Sequence, residues 1–350
     1  MKAFDQINGD EVIFISLENA PSSRTKTYFM GLVDLGIECQ WYEVRNKSIF
    51  RDISRIVKNL NVSRCKFVVA SPSHVLVPYV FWVTRKMPIF DLGWPLFDGV
   101  ITSRKNHGIL KLNFLKTLVV DFFSIIFSRI VFVESIYQQN RLNKVFFFCK
   151  GKFALLPTGI NESRFNNEFS EIRTSSSKVI LFRGGDLPEA GIDVLISAIR
   201  INTRPDVKFI IISRSNRLKN LNLPNTHVFI DFLPDNEIKR HYLSASIILG
   251  QLSSHKRTNW TVPHKFYEAA FLGIPYVTSN SSPMIEFESS KCVKLFKGGD
   301  AIDLIKTISS LVDNSQEMKS LSYNINNLYK TSFNQKLLSR VFLRYINKYK

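Results

Sequence analysis

Twice along this chain, short apolar runs rich in β-branched residues alternate with longer stretches of helical periodicity, and few folds accept that pattern. In the first half, residues 12–17 read as a buried strand, 25–35 as a helix closed by Gly36, and 37–44 as the next strand. A helix near 48–59, a strand at 66–70, a helix at 74–84 and a short strand at 88–92 follow. Then come a long helical stretch at 109–127, a strand at 130–134, a helix to about 147 and a strand at 153–157. Strands spaced by helices in this way predict a parallel sheet covered on both faces.

Between 166 and 178 the periodicity fades into the polar run Thr174-Ser175-Ser176-Ser177, which is linker chemistry. The alternation then resumes, with strands at 179–182, 207–213, 228–232, 247–252, 276–279 and 293–296 and helices at 192–201, 235–244, 263–272 and 301–313. At 350 residues the chain is too long for one ordinary core and long enough for two. The expected architecture is α/β, with two Rossmann-like, doubly wound parallel-sheet domains at 1–170 and 178–325 joined by a linker at 171–177. Residues 326–350 hold a basic amphipathic helix, with Lys336, Arg340, Arg344 and Lys348 at four-residue spacing.

Lys and Arg outnumber Asp and Glu by 47 to 29, so anionic partners are expected: diphosphates of sugar nucleotides, anionic lipid or nucleic acid. Nucleic acid is set aside because no recognisable binding module accompanies the charge. Cys39, Cys65, Cys149 and Cys292 lie far apart with no CxxC pair and no His at ligand spacing, which suggests neither zinc nor disulfides and favours a reducing cytoplasm. The chain opens on polar and acidic residues, the wrong order for a secretory signal. Its most lipid-like stretch, 117–135, is broken by Asp121 and Arg129, so no transmembrane helix is expected.

The segment 261–280 carries the chemistry. Thr261 can cap a helix, Pro263 suits its first turn, and Gly273 with Pro275 stops it. The start is expected near 261 or 262. A helix N-terminus at the carboxyl edge of a parallel sheet suits a phosphate. Lys265 in that first turn opposes the helix dipole unless an anion binds there. Glu268, one turn on, is placed to meet the hydroxyls of a ribose, although a solvated helix carboxylate is the plainer reading of that residue alone.

Pro263-His264-Lys265-Phe266-Tyr267-Glu268, followed by Gly273-Ile274-Pro275-Tyr276-Val277, resembles the donor-binding helix of retaining glycosyltransferases of family 4, especially the bacterial surface-polysaccharide subgroup. The similarity extends to 229–238, whose loop holds Phe232 and Leu233, and to Leu156-Pro157-Thr158-Gly159, near the family's first-domain end. The resemblance implies a GT-B architecture whose terminal helix crosses back to the first domain. It also implies that Glu268 binds the nucleotide ribose, that Phe232 and Leu233 lie by the base, and that His264 and Lys265 help to hold the donor.

Three departures stand out. Trp260 occupies the position of a second family glutamate that contacts the transferred sugar. Gly185 and Ala190 replace the two basic residues that bind the diphosphate, leaving Arg183 to supply charge from a displaced position and Gly184 with Gly185 to admit backbone N–H groups. An ordinary strand-to-helix turn reads equally well there. Lys256 and Arg257, just before the donor helix, are candidates to replace the lost cations.

No Asp-x-Asp occurs, so a metal-independent reaction is expected, with protein cations and helix dipoles neutralising the leaving group. Asp91 and His74 are the candidate catalytic residues of the first domain, and Asn19, Ser22 and Arg24 a candidate acceptor loop. For Asp91 a structural capping role fits as well, and His74 equally begins a helix. The function expected from the resemblance is retaining transfer of a hexose or N-acetylhexosamine from a UDP- or GDP-sugar to a growing lipid-linked glycan in polysaccharide or O-antigen synthesis. An anionic membrane, met on the cytoplasmic side by the helix at 109–127, Phe146-Phe147-Phe148 and the basic terminal helix, is a further expected partner. A catalytically silent GT-B scaffold is the alternative, as is packing of the terminal helix back onto the first domain.

Overall fold

The computed structural model describes residues 11–103, 110–165, 178–230 and 233–348. The chain packs as two units, one of Met1–Asn161 with Gln335–Lys350 and one of Glu162–Asn334. The expected linker at 171–177 lies outside the described residues, as does Phe232.

In the first unit six strands, β1 (Glu11–Leu17), β2 (Cys39–Val44), β3 (Cys65–Val69), β4 (Ile89–Gly93), β5 (Ile130–Val133) and β6 (Phe153–Leu155), form one parallel sheet in the order β2-β1-β3-β4-β5-β6. The helices α1 (Ser23–Asp34), α2 (Ile49–Lys58), α3 (Leu76–Thr84), α4 (Leu96–Ser103), α5 (Leu110–Ile126) and α6 (Ile136–Val145) connect them. Alternate strand residues point to opposite faces. Ile13, Val69, Phe90 and Val131 therefore meet one apolar layer while Phe14, Val68 and Phe132 meet the other.

The second unit repeats the theme with β7 (Lys178–Arg183), β8 (Val207–Ile212), β9 (Thr226–Phe229), β10 (Ile247–Leu249), β11 (Tyr276–Ser279) and β12 (Lys294–Phe296), all parallel, in the order β12-β11-β10-β7-β8-β9. Its helices are α7 (Ile192–Ile201), α8 (Asp235–Ser244), α9 (His264–Leu272), α10 (Ser282–Ser289), α11 (Ala301–Asp313) and α12 (Ser315–Leu328). Strand order reverses between β7 and β10, and such a reversal opens a crevice beyond the carboxyl ends of the two strands. The two doubly wound α/β sheets are those the sequence pattern predicts.

The boundaries differ from the expected ones at both ends of the second unit. Residues 326–334 pack with it, because Asn326 Nδ2 on α12 donates to the carbonyls of Ala270 (3.1 Å) and Phe271 (2.8 Å) at the end of α9. Tyr329 donates to Glu162 Oε1 at 2.8 Å, and Phe165 is buried against Tyr242, so 162–165 belong here too. Helices α4, α10 and α12 are additions to the sequence reading; in α12 the polar run Ser322 to Asn327 obscures an apolar face made by Met318, Leu321 and Ile325.

The terminal helix α13 (Gln335–Lys348) returns to the first unit and lies along α1. Phe342 stacks on Phe14 and Tyr28, and Leu338, Leu343 and Ile346 are buried with it. The helices touch at Gly31, where any Cβ would collide with Ser339 Oγ. Four-residue spacing keeps Lys336, Arg344 and Lys348 on the solvent side, so the helix spends its apolar face on packing.

Candidate functional site

In the second unit, residues after β7, β8 and β10 line a cavity of about 500 Å³ at the strand-order reversal. That volume suits a small organic ligand. One wall comes from Arg183, Gly184 and Gly185 at the end of β7, and another from Ile212, Ser213 and Arg214 after β8. Leu233 and Ile238 add apolar surface at the α8 side, and Gln251 stands beyond β10. The start of α9, with Pro263, His264 and Lys265, closes the set.

The helix begins slightly later than expected. Pro263 is its N-cap, in extended conformation, and no side chain caps it. Thr261 does not act as the cap, because its hydroxyl donates instead to the Arg257 carbonyl at 3.4 Å. The first turn of α9 thus brings N–H groups and a partial positive charge to the cavity wall.

Lys265 lies in that first turn with its Nζ 4.9 Å from the centroid of the Phe182 ring and no carboxylate partner among the described residues. Burial, with a further push from the Arg183 charge, pulls its pKa down to about 7, against the opposing pull of Glu268. An anion in the cavity would restore the ammonium. Gly184 makes room for it: a Cβ there would meet the Phe182 ring at 2.8 Å and Lys265 Nζ at 3.5 Å.

Glu268 is completely buried. Its two oxygens accept from Arg183 Nη2 at 2.7 and 2.5 Å, from the Tyr242 hydroxyl at 2.5 Å, and face His264 Nδ1 at 3.3 Å. Burial alone would raise its pKa, but Arg183, His264 and Tyr242 together hold it well below the usual carboxylate range. Arg183 in turn lies over the Tyr242 ring, 5.3 Å from its centroid. The displaced cation is therefore committed to Glu268 in this state, and the carboxylate is a structural hub rather than a solvated side chain.

Arg257 is similarly engaged, with its guanidinium on the buried carboxylate of Glu189, a residue that lines the cavity. Lys256 is exposed beside it and does not line the cavity. Trp260 is half-buried in the same loop. Gly185 and Leu233 line the cavity.

The sequence reading missed Arg214 and Glu189. Arg214 lies two residues past β8, a neighbour of the central strand, so asking which side chains follow each strand beside the reversal would have found it. Glu189 gave no such signal, because its place depends on the close crossing of the β7 and β10 loops, where Leu252 N donates to the Ala190 carbonyl at 3.2 Å.

Of the first-unit candidates, Asp91, His74, Ser22 and Arg24 are buried and Asn19 is exposed. Asp91 is fully buried and accepts from Arg24 Nε at 2.7 Å and Thr25 Oγ1 at 2.6 Å. Arg24 spends its other donors on Thr158 Oγ1 (2.9 Å) and the Leu156 carbonyl (2.8 Å), so it ties β4 and the end of β6 to α1. His74 is 1% exposed, with Nδ1 3.1 Å from the Pro72 carbonyl and Nε2 3.5 Å from Asp121. Burial pulls the imidazole down to about 4 and pushes Asp121 up to about 7. Neither Asp91 nor His74 has a surface to offer a substrate. Ser22 is also buried, whereas Asn19, Pro21, Ser23 and Lys26 of the same segment are exposed.

Two parallel six-stranded Rossmann-like units define the GT-B architecture. HepE from Anabaena, solved in complex with UDP, shares it with a TM-score of 0.70 at 13% identity, over 97% of this chain and 100% of that one. Sucrose-phosphate synthase from Thermosynechococcus elongatus is similar with a TM-score of 0.71 at 13% identity, over 97% and 98%. UDP-GlcNAc 2-epimerase from Neisseria meningitidis, bound to UDP-GlcNAc, is a more distant likeness, with a TM-score of 0.54 at 13% identity, over 97% and 100%. Identities this low speak for the fold alone. More specifically, residues 163–328 match the family model of glycosyl transferases group 1, a span that includes the whole cavity. No curated protein matches the chain. Family match and fold together support a glycosyltransferase.

Proposed function

We propose that the protein transfers a hexose or N-acetylhexosamine from a UDP- or GDP-sugar to a growing, lipid-linked glycan of a surface polysaccharide or O-antigen. The observation that carries this reading is the uncapped start of α9 with Lys265 beside Gly184 at one cavity wall. The N–H groups and ammonium suit a diphosphate. Leu233 and Ile238 offer an apolar seat for the base. That HepE is solved with UDP and that 163–328 match a glycosyltransferase family support the same assignment. Charge on the departing diphosphate is neutralised by Lys265 and the α9 dipole, without a metal ion. Retention of configuration follows if the acceptor hydroxyl attacks on the leaving-group face, which needs no strong protein base. The enzyme works in the cytoplasm, at the inner membrane face.

A thermal-shift screen against UDP, GDP and their common sugars tests the donor. A ligand present at about a hundred times its Kd should stabilise the protein by about 2.7 kcal/mol. Lack of a shift with every nucleotide would defeat the donor assignment. The second reading, a silent GT-B scaffold, is favoured by the pairing of Arg183 and Arg257 with carboxylates, which leaves little cationic charge for a diphosphate. Nucleotide binding without any nucleotide release in the presence of glycan acceptors would favour it.

A further inference from the structure

Residues 79–152 of the first unit carry eleven Lys and Arg against four Asp and Glu. Asp91, Asp98 and Asp121 are buried, and Glu134 is half-buried. Arg85, Lys116, Arg129, Lys144 and Lys150 are exposed. Every exposed charge among the described residues of this segment is therefore positive.

The same segment shows large apolar side chains to solvent. On α5, Leu115, Val119 and Phe123 are exposed at four-residue spacing, which puts them in one stripe. Phe147 is 68% exposed and packs edge-on against Phe148, which in turn meets Phe122 on α5. Phe123 stacks on Phe127 and Phe127 on Phe81 of α3, whose neighbour Trp82 is 62% exposed. Ring contacts thus run from α3 through α5 to the 146–148 corner, and the same segment supplies the exposed cations. Contiguous surfaces of this kind mark an interaction site.

We propose that this face of the first unit, built on α3, α5 and the Phe146-Phe147-Phe148 corner, docks on an anionic lipid surface. Aromatic rings favour the boundary between headgroups and acyl chains, and each cation near anionic headgroups adds about 1 kcal/mol of attraction. Duplex nucleic acid would engage the cations through its phosphates and leave the rings in water. A second copy of the chain would bring like charges together. No helix among the described residues is long and apolar enough to cross a membrane, so the mode is interfacial. The terminal helix takes no part through its apolar side, because Phe342 and its neighbours are committed to α1 and the sheet. The docking face gives the lipid-linked acceptor reading a physical location, yet it is measured without any donor, so either can fail alone.

Flotation of the full chain with phosphatidylcholine vesicles, with and without phosphatidylglycerol, tests it. Binding is expected on the anionic vesicles at low salt and to weaken as salt rises. Trp82→Ser with Phe147→Ser should lower the partition about tenfold or more. Lys116→Glu with Lys144→Glu should do the same, most strongly at low salt. Both pairs change exposed side chains, so the melting temperature and UDP-induced shift should stay at wild-type values. The proposal is overturned by absence of binding to anionic vesicles, by binding that neither pair weakens, or by a dimer in sedimentation that the aromatic pair dissolves.

Discussion

Arg183, the last residue of β7 and half-buried at the cavity wall, and Glu268, fully buried in the second turn of α9, form an ion pair with Nη2 2.7 and 2.5 Å from the two carboxylate oxygens. The pair links the central strand of the second sheet to the helix that opens on the cavity. Binding and stability therefore share residues here.

Removing one partner of a buried pair strands the other. Glu268→Ala is expected to cost about 3–5 kcal/mol, leaving Arg183 charged and the Tyr242 hydroxyl without its acceptor. Adding Arg183→Met should recover part of the loss, and chemical denaturation of the three variants measures it. The sign in pH follows from the depressed native pKa of Glu268. Its contribution is full above the ordinary carboxylate value of about 4.3 and is lost as pH falls below it.

Lys265 makes donor affinity depend on pH. Its pKa near 7 in the empty cavity rises when a diphosphate binds, so binding takes up protons. Affinity for a nucleotide sugar should be full below about pH 7 and fall above it, by up to about tenfold per unit. Arg183, Glu268 and His264 face the same spot, so the control is Lys265→Arg, whose profile should be flat. Calorimetric titration between the two limits decides this.

Gly184→Ala tests the close approach. The new methyl would meet the Phe182 ring at 2.8 Å and crowd Lys265. A cost of about 1–3 kcal/mol in stability is expected, accompanied by weaker nucleotide binding. Gly185→Ala, with open space at its Cβ, should be nearly silent in the same two measurements.

The cations before α9 should separate sharply. Arg257→Ala removes the partner of buried Glu189 and should destabilise the second unit by about 3–5 kcal/mol. Lys256→Ala, exposed, should change stability by less than about 0.5 kcal/mol. Thermal melts of the single variants show whether the two adjacent residues differ in this way.

Much of the fold was legible because strand and helix periodicities are local properties. The run Val207 to Ile212 reads as a strand wherever it sits, and Gly273 ends α9 in the left-handed conformation its sequence announces. The donor helix, with Lys265 and Glu268 one turn apart, was readable for the same reason. Helix α12 was not, because its apolar stripe is diluted by polar neighbours and becomes visible only against α9.

What the sequence determined by itself was two doubly wound sheets, the helix that ends at Gly273, and the cation and carboxylate it carries. What only the tertiary structure decided was the partner of each charge. Arg24 and Asp91 are 67 positions apart, and Arg183 and Glu268 are 85 apart. No local pattern foretells such pairings, because they arise when parallel strands bring their carboxyl ends to one edge. Burial there makes pairing obligatory, since an isolated charge out of water costs more than any single contact returns. That is why Asp91, open to catalysis on paper, is paired with Arg24 in the first unit, while Lys265 reaches the cavity wall with no ion pair to a carboxylate among the described residues.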